Sequence, residues 1–125
     1  MDMNLADTRL RAETGVPVNA PSIIVDGVRL AVAREGHGPA VLCLHATGHG
    51  GRDFERFAAL THNNFEVVRL DWPGQGRSDD DMHPASALRY GDLIEGVLDA
   101  LDLDRVILLG CSIGGAAAAH CRLWI

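Results

Sequence analysis

Ser112 lies in Gly110-Cys111-Ser112-Ile113-Gly114, directly after the apolar run Val106-Ile107-Leu108-Leu109 and just before Gly115 and the alanines 116–119. A serine hydroxyl is a weak nucleophile until a turn lifts it clear of the backbone and a base takes its proton. The G-x-S-x-G pattern between a buried strand and a helix meets the first condition. Glycines at 110 and 114 remove the Cβ atoms that would collide where strand and helix pack, and the serine is held in a strained, positive-φ conformation. The amide of Ile113, at the helix start, then faces any anion developing above Ser112, assisted by the helix dipole. The chemistry implied is nucleophilic attack on a carbonyl. The competing reading is a glycine-rich turn that merely packs or cradles a phosphate, but the chain contains no lysine to serve as a Walker residue.

A second cluster, His45-Ala46-Thr47-Gly48-His49-Gly50-Gly51, follows the apolar run Ala40-Val41-Leu42-Cys43-Leu44. An acyl-transfer site of strand-turn-helix design draws its second oxyanion donor from this place, and the Thr47 N–H is the candidate. His45 and His49 have the i, i+4 spacing of zinc helices, yet Gly48 disfavours a helix and Ala46 stands where a metalloprotease needs its glutamate. No metal and no cofactor is expected. His45 is read as bonding within the loop and, with Cys111, as bordering the substrate; a base role for it is the minor alternative. The segment Asp71-Trp72-Pro73-Gly74-Gln75-Gly76-Arg77-Ser78 lacks the third glycine and the helix of a dinucleotide fingerprint and reads as a shaped loop beside the site. Asp79-Asp80-Asp81 reads as a solvated acidic stretch.

These clusters need elements to hold them. Ile23-Ile24-Val25 and Val28 to Ala33, joined by Asp26-Gly27, form a predicted hairpin whose second strand alternates as a half-exposed strand does. Strands are expected at 40–44, 65–70 and 106–109, with helices over 53–60 and 84–101, the latter from Leu88, Leu93, Ile94, Val97, Leu98 and Leu101 recurring every three or four residues. Alternating strands and helices imply crossovers and a mostly parallel sheet of about five strands flanked by helices, an α/β fold. Residues 1–21 carry Pro17 and Pro21 without periodicity and read as an irregular lead-in; residues 22–125 read as the folded part. All three clusters fall at the carboxyl ends of strands, where such sheets gather their functional groups.

The chain has 125 residues, is 47% hydrophobic, and carries a formal charge of -6. One core fits that length, and the charge opposes binding to nucleic acid or to anionic membrane surfaces. The N-terminal run lacks the basic and apolar regions of a secretory signal, no window is long enough to span a membrane, and three unpaired-looking cysteines read as reduced, with Cys111 alone open to a reactive-thiol reading. The expected location is the cytoplasm.

The three clusters together resemble the α/β-hydrolase fold family. His45 to Gly48 is similar to its H-G-x-G oxyanion stretch, with Ala46 in place of the glycine; Asp71 to Ser78 is similar to its D-x-x-G-x-G-x-S loop; Gly110 to Gly115 is similar to G-x-S-x-G-G. The resemblance runs from about Ile23 to Leu123 and covers the N-terminal half of such a fold. It implies a serine hydrolase acting on an ester or related acyl bond, with Ser112 as nucleophile and the Thr47 and Ile113 amides as oxyanion donors. A serine at the elbow resembles the esterase, lipase and carbon-carbon hydrolase branches rather than the dehalogenases or epoxide hydrolases. In this family the acid and the histidine follow the serine along the chain. Since the sequence ends thirteen residues after Ser112, a truncated fragment with little activity alone is expected, with an open sheet edge prone to self-association. The alternative is a non-catalytic ligand-binding or interaction module on the same scaffold.

Overall fold

A computed structural model describes residues 21–121. The lead-in before Pro21 and the tail after Cys121 lie outside the described residues. Strands β1 (Ser22–Val25) and β2 (Val28–Gly36) pair antiparallel through Val25 and Val28. Between them Asp26 and Gly27 both take positive φ, 49° and 80°, as a two-residue turn matched to strand twist demands. Strands β3 (Ala40–Leu44), β4 (Glu66–Leu70) and β5 (Val106–Gly110) alternate with helices α1 (Glu55–Thr61) and α2 (Ala87–Ala100), and α3 (Ile113–His120) follows β5. The sheet order is β1-β2-β4-β3-β5. Its parallel part is β4, β3 and β5, and β2 joins β4 antiparallel.

Strand β3 lies inside the sheet between β4 and β5, and every one of its residues is buried, as a purely apolar parallel strand requires. Helix α2 supplies Tyr90, Leu93, Ile94, Val97 and Leu98 to one face of the sheet, where they pack on Leu30, Leu42, Leu44, Val68 and Leu70 and on Ala117 of α3. On the other face Ala58 of α1 meets Val41, Cys43 and Val67, with Phe54, Phe57 and Phe65 at the margin. Burial there pushes the Cys43 thiol up to about 12, so it is an inert packing group. No described helix is long and apolar enough to cross a membrane.

Several expectations are corrected by what covers each residue. The helix expected from 84 begins at Ala87, because the Ser86 side chain accepts from Arg89 N–H and caps it there. The helix expected from 53 begins as a 3-10 turn over Gly51–Phe54. Leu88 faces solvent, since it lies about 120° around α2 from Ile94. Strand β2 is not half-exposed: its first five residues are buried. The segment after β4 lies along it, with Asp71 N–H on Ala31 O, Asp79 N–H on Arg29 O, and Ala31 N–H on Ser78 Oγ.

Nor are Asp79 and Asp81 a solvated stretch. Asp79 takes the buried Arg29 guanidinium at 2.8 Å, and Asp81 takes Arg89 through two bonds of 2.8 and 3.1 Å. Arg89 also reaches Asp26 in the hairpin turn at 2.6 Å, and its guanidinium holds the Asp81 carboxyl below the usual range. Only Asp80 of the three is exposed.

Strand β5 forms the rim of the described sheet and bonds only to β3. Ile107 and Leu109 are 51% and 38% exposed there, an apolar edge of the kind that recruits further strands.

Candidate active site

The end of β5, the turn and α3 form one rigid joint. Ser112 takes φ 56° and ψ -117°, outside the left-handed helical well that a lone polar residue can visit, and such a conformation costs about 1–3 kcal/mol unless its surroundings impose it. The surroundings do. A Cβ on Gly110 would lie 2.5 Å from the Gly114 carbonyl carbon, and one on Gly114 would lie 2.7 Å from the Leu44 carbonyl carbon and closer still to its oxygen. The start of α3 therefore rests against the last residue of β3, where Cys111 N–H also bonds Leu44 O at 3.0 Å. The turn carrying Ser112 is thus seated on the residue that precedes His45.

Ser112 and Cys111 are both exposed, and Cys111 is a free thiol. Ser112 O accepts from Ala116 N–H, but its hydroxyl has no histidine or carboxylate partner among the described residues. Ile113, the first residue of α3, leaves its N–H without an acceptor among them, as the opening turn of any helix does.

His45 is fully buried, with both ring nitrogens committed. Its Nε2 receives the Trp72 N–H at 2.9 Å, an unambiguous donor, so the proton sits on Nδ1 and is donated to Ala46 O at 2.7 Å. Trp72 Nε1–H returns a bond to His45 O at 2.8 Å. The expectation that His45 borders the substrate is corrected: the ring is sealed under the loop, and burial lowers its pKa below 6.5, against a smaller upward pull from the Ala46 carbonyl. Its effect on the loop is indirect but definite. Ala46 O accepts from both His45 Nδ1–H and His49 N–H. In a planar trans peptide the N–H points opposite to the carbonyl, so fixing Ala46 O fixes the direction of Thr47 N–H, which has no acceptor among the described residues.

The rest of the loop is tied to the segment after β4. Asp71 accepts Gly51 N–H at 2.6 Å and Arg77 N–H at 3.0 Å, and Gln75 Oε1 accepts Gly48 N–H at 2.7 Å. Trp72 and Tyr90 stack beneath, centroids 4.1 Å apart and 9° from parallel. The sequence reading missed Tyr90, although it precedes Ile94 by four residues and so shares its helix face. His49 turns away to Asp53 at 2.7 Å rather than joining His45. A cleft of about 540 Å³ opens between the two glycine loops toward β2, and Ser112 does not line it.

Comparison with known proteins agrees with this layout. The model of the alpha/beta hydrolase family matches residues 41–124. The chain is 33% identical over 108 residues to an epoxide hydrolase of Caballeronia sordidicola, covering 81% of this chain and 32% of that protein. It is 36% identical over 83 residues to a 2-hydroxy-6-oxononadienedioate/2-hydroxy-6-oxononatrienedioate hydrolase of Cupriavidus pinatubonensis, covering 62% of this chain and 29% of that protein. Among solved structures, Est816, described as an N-acyl homoserine lactone degrading enzyme, superposes with a TM-score of 0.75 at 31% identity, over 80% of this chain and 39% of that one. The enol-lactonase of Burkholderia xenovorans LB400, at 24% identity and a TM-score of 0.73, shares the fold over 78% of this chain and 39% of its own. This chain belongs to the alpha/beta hydrolase family, and the proteins it resembles within that family include several named as hydrolases. It spans 28 to 42% of the length of the curated relatives it matches.

Proposed function

We propose that residues 22–125 form the nucleophile-bearing part of a serine hydrolase that cleaves ester or related acyl bonds in a small molecule. The observation that carries this reading is Ser112 at φ 56° and ψ -117° between β5 and α3, a strained turn that presents its hydroxyl to solvent. Ser112 Oγ attacks the carbonyl carbon and its proton passes to a base. The oxyanion is held by the Ile113 and Thr47 N–H groups, the leaving group departs, and water then releases the acyl group. In the chain order Ser, acid, His that the family resemblance implies, the base and its acidic partner follow Ser112 in the length of the relatives that this chain does not span. Cys111 borders the acyl group.

The chemistry of a hydroxyl favours carbonyl substrates over epoxides. Attack on an epoxide would leave an ether on the serine, which water does not hydrolyse. The lactone in the name of Est816 and the oxo-acid in the name of the Cupriavidus relative both offer a carbonyl, and an ester or lactone is the substrate class proposed here.

The second reading is a ligand-binding or interaction module without catalysis on the same scaffold. A fluorophosphonate probe separates the two. With the remaining part of a hydrolase supplied in trans, Ser112-dependent labelling that disappears in Ser112→Ala is expected, while the chain alone shows no burst of p-nitrophenyl acetate turnover. Saturable ligand binding with no labelling in either setting would favour the module.

The open β5 edge gives a further expectation. Purified by itself at micromolar concentration, the chain elutes from size exclusion as a dimer or larger species, paired through Ile107 and Leu109; a clean monomer would contradict this. Nucleic acid and anionic membrane surfaces are not proposed as partners, because the net charge of -6 opposes both. The free thiols of Cys43, Cys111 and Cys121 fit the reducing cytoplasm.

A further inference from the structure

We propose that Gln75 is a positioning residue for the oxyanion loop: by accepting the Gly48 N–H it locks the Thr47–Gly48 peptide and leaves Thr47 N–H as the loop's available donor. The proposal rests on the reading of Ser112 and Thr47 given above.

Gly48 is the swivel of this loop. It sits at φ +82°, and a Cβ placed on it would meet nothing within 4 Å. The space beside the Gly48 Cα is therefore open, and glycine itself has no preference between the two hands of φ. Neither a side chain of its own nor packing at its Cα holds it. The bond of 2.7 Å from Gly48 N–H to Gln75 Oε1 is the restraint on that peptide.

The orientation of the Gln75 amide follows from its partners. A backbone N–H only donates, so the oxygen faces Gly48, and Nε2 is left to donate to Tyr90 Oη at 3.1 Å. Tyr90 is a firm anchor because it is 1% exposed on α2 and stacked on Trp72, which His45 grips from two sides. The loop is thus held at successive peptides from separate elements. His45 and His49 N–H fix the Ala46–Thr47 peptide by its carbonyl, and Gln75 fixes the next by its nitrogen. Were the second peptide to flip, the Thr47 carbonyl would exchange places with the Gly48 N–H. Thr47 would then be restrained only on its N-terminal side, through the Ala46 carbonyl, with a carbonyl free to swing beside the oxyanion amide, and an electrostatic site works by having its dipoles set beforehand.

Substitution of the acceptor tests this. Gln75→Met keeps length and apolar bulk but accepts nothing from Gly48, whereas Gln75→Glu keeps an acceptor and can take the Tyr90 O–H on its other oxygen. In the full chain, Gly48 amide exchange is expected to speed up about tenfold in Gln75→Met and to stay near wild type in Gln75→Glu. Under the labelling conditions above, the maximal phosphonylation rate at Ser112 should fall about tenfold in Gln75→Met, with half-saturating probe concentration unchanged and with rescue by Gln75→Glu. Unchanged Gly48 exchange in Gln75→Met, or faster exchange with an unaltered labelling rate, would overturn the proposal. A wild-type protein that shows no Ser112-dependent labelling overturns the nucleophile reading instead, and the Gly48 exchange rates then decide by themselves whether Gln75 holds the loop.

Discussion

Gly114→Ala lowers the melting temperature by roughly 8–16 °C, while Gly115→Ala, one residue along, leaves it unchanged or raises it slightly. The two positions share a helix turn and differ only in what lies above them. A methyl on Gly114 would enter the Leu44 carbonyl, 2.7 Å from its carbon, whereas the nearest atom to a methyl on Gly115 is Gly110 O at 3.5 Å, an ordinary contact. Leu44 is the last residue of the interior strand β3 and cannot yield without pulling it from both neighbours. Overpacking against backbone of this kind costs about 3 kcal/mol. Alanine's helix preference offsets about 1 kcal/mol of it, for a net loss near 2 kcal/mol; Gly115→Ala gains the preference without the collision. Thermal melts of the two variants side by side check the claim, and equal midpoints would show that α3 is not seated on β3 as described. The same collision would move Ser112, so the damaged variant should also lose fluorophosphonate labelling.

That close approach was legible in the sequence, because it is dictated within five residues: an apolar strand, a serine between spaced glycines, and small residues after it. The Asp26-Gly27 hairpin and the apolar face of α2 were legible for the same reason, since local backbone preference and helical period decide both. What escaped was set by residues far apart in the chain. Arg29 looked like the solvent side of an alternating strand, yet Asp79 and the Arg77 carbonyl, about fifty positions away, bury it. Asp81 looked solvated until Arg89 folded back over it from α2. Gln75 is one polar residue in a glycine loop, and nothing in its neighbours foretells that its two amide atoms join Gly48 to Tyr90. Period and turn chemistry report what a segment does to itself. They are silent on which remote segment satisfies its polar atoms, and in this site those long-range bonds hold the loops in place.

His45 carries the second large effect, and it has a pH signature. His45→Ala removes the acceptor of the buried Trp72 N–H and one of the two donors to the Ala46 carbonyl, and opens a cavity beneath the loop, a combined loss of about 3 kcal/mol at neutral pH. In the wild-type protein, burial holds the His45 pKa below 6.5 while the unfolded chain titrates at the ordinary value. As pH falls below about 6.5 the unfolded state takes up a proton that the folded state refuses, so stability is full above that pH and declines toward the folded pKa, by at most about 1.4 kcal/mol per pH unit. Asp81, held low by Arg89, does not confuse the reading, because its contribution is lost only below the ordinary carboxylate pKa of 3.8. His45→Gln separates the ring's packing from its titration: the amide can accept from Trp72 N–H and donate to Ala46 O, but it has no proton to gain. Urea midpoints at pH 7.5, 6.5 and 5.5 should therefore fall with pH in the wild type and stay level in His45→Gln, at a neutral-pH stability between wild type and His45→Ala. A His45→Gln protein with the wild-type slope would place the acid sensitivity elsewhere. A level slope would show that the residue shaping the direction of Thr47 N–H also makes the fold sensitive to mild acid.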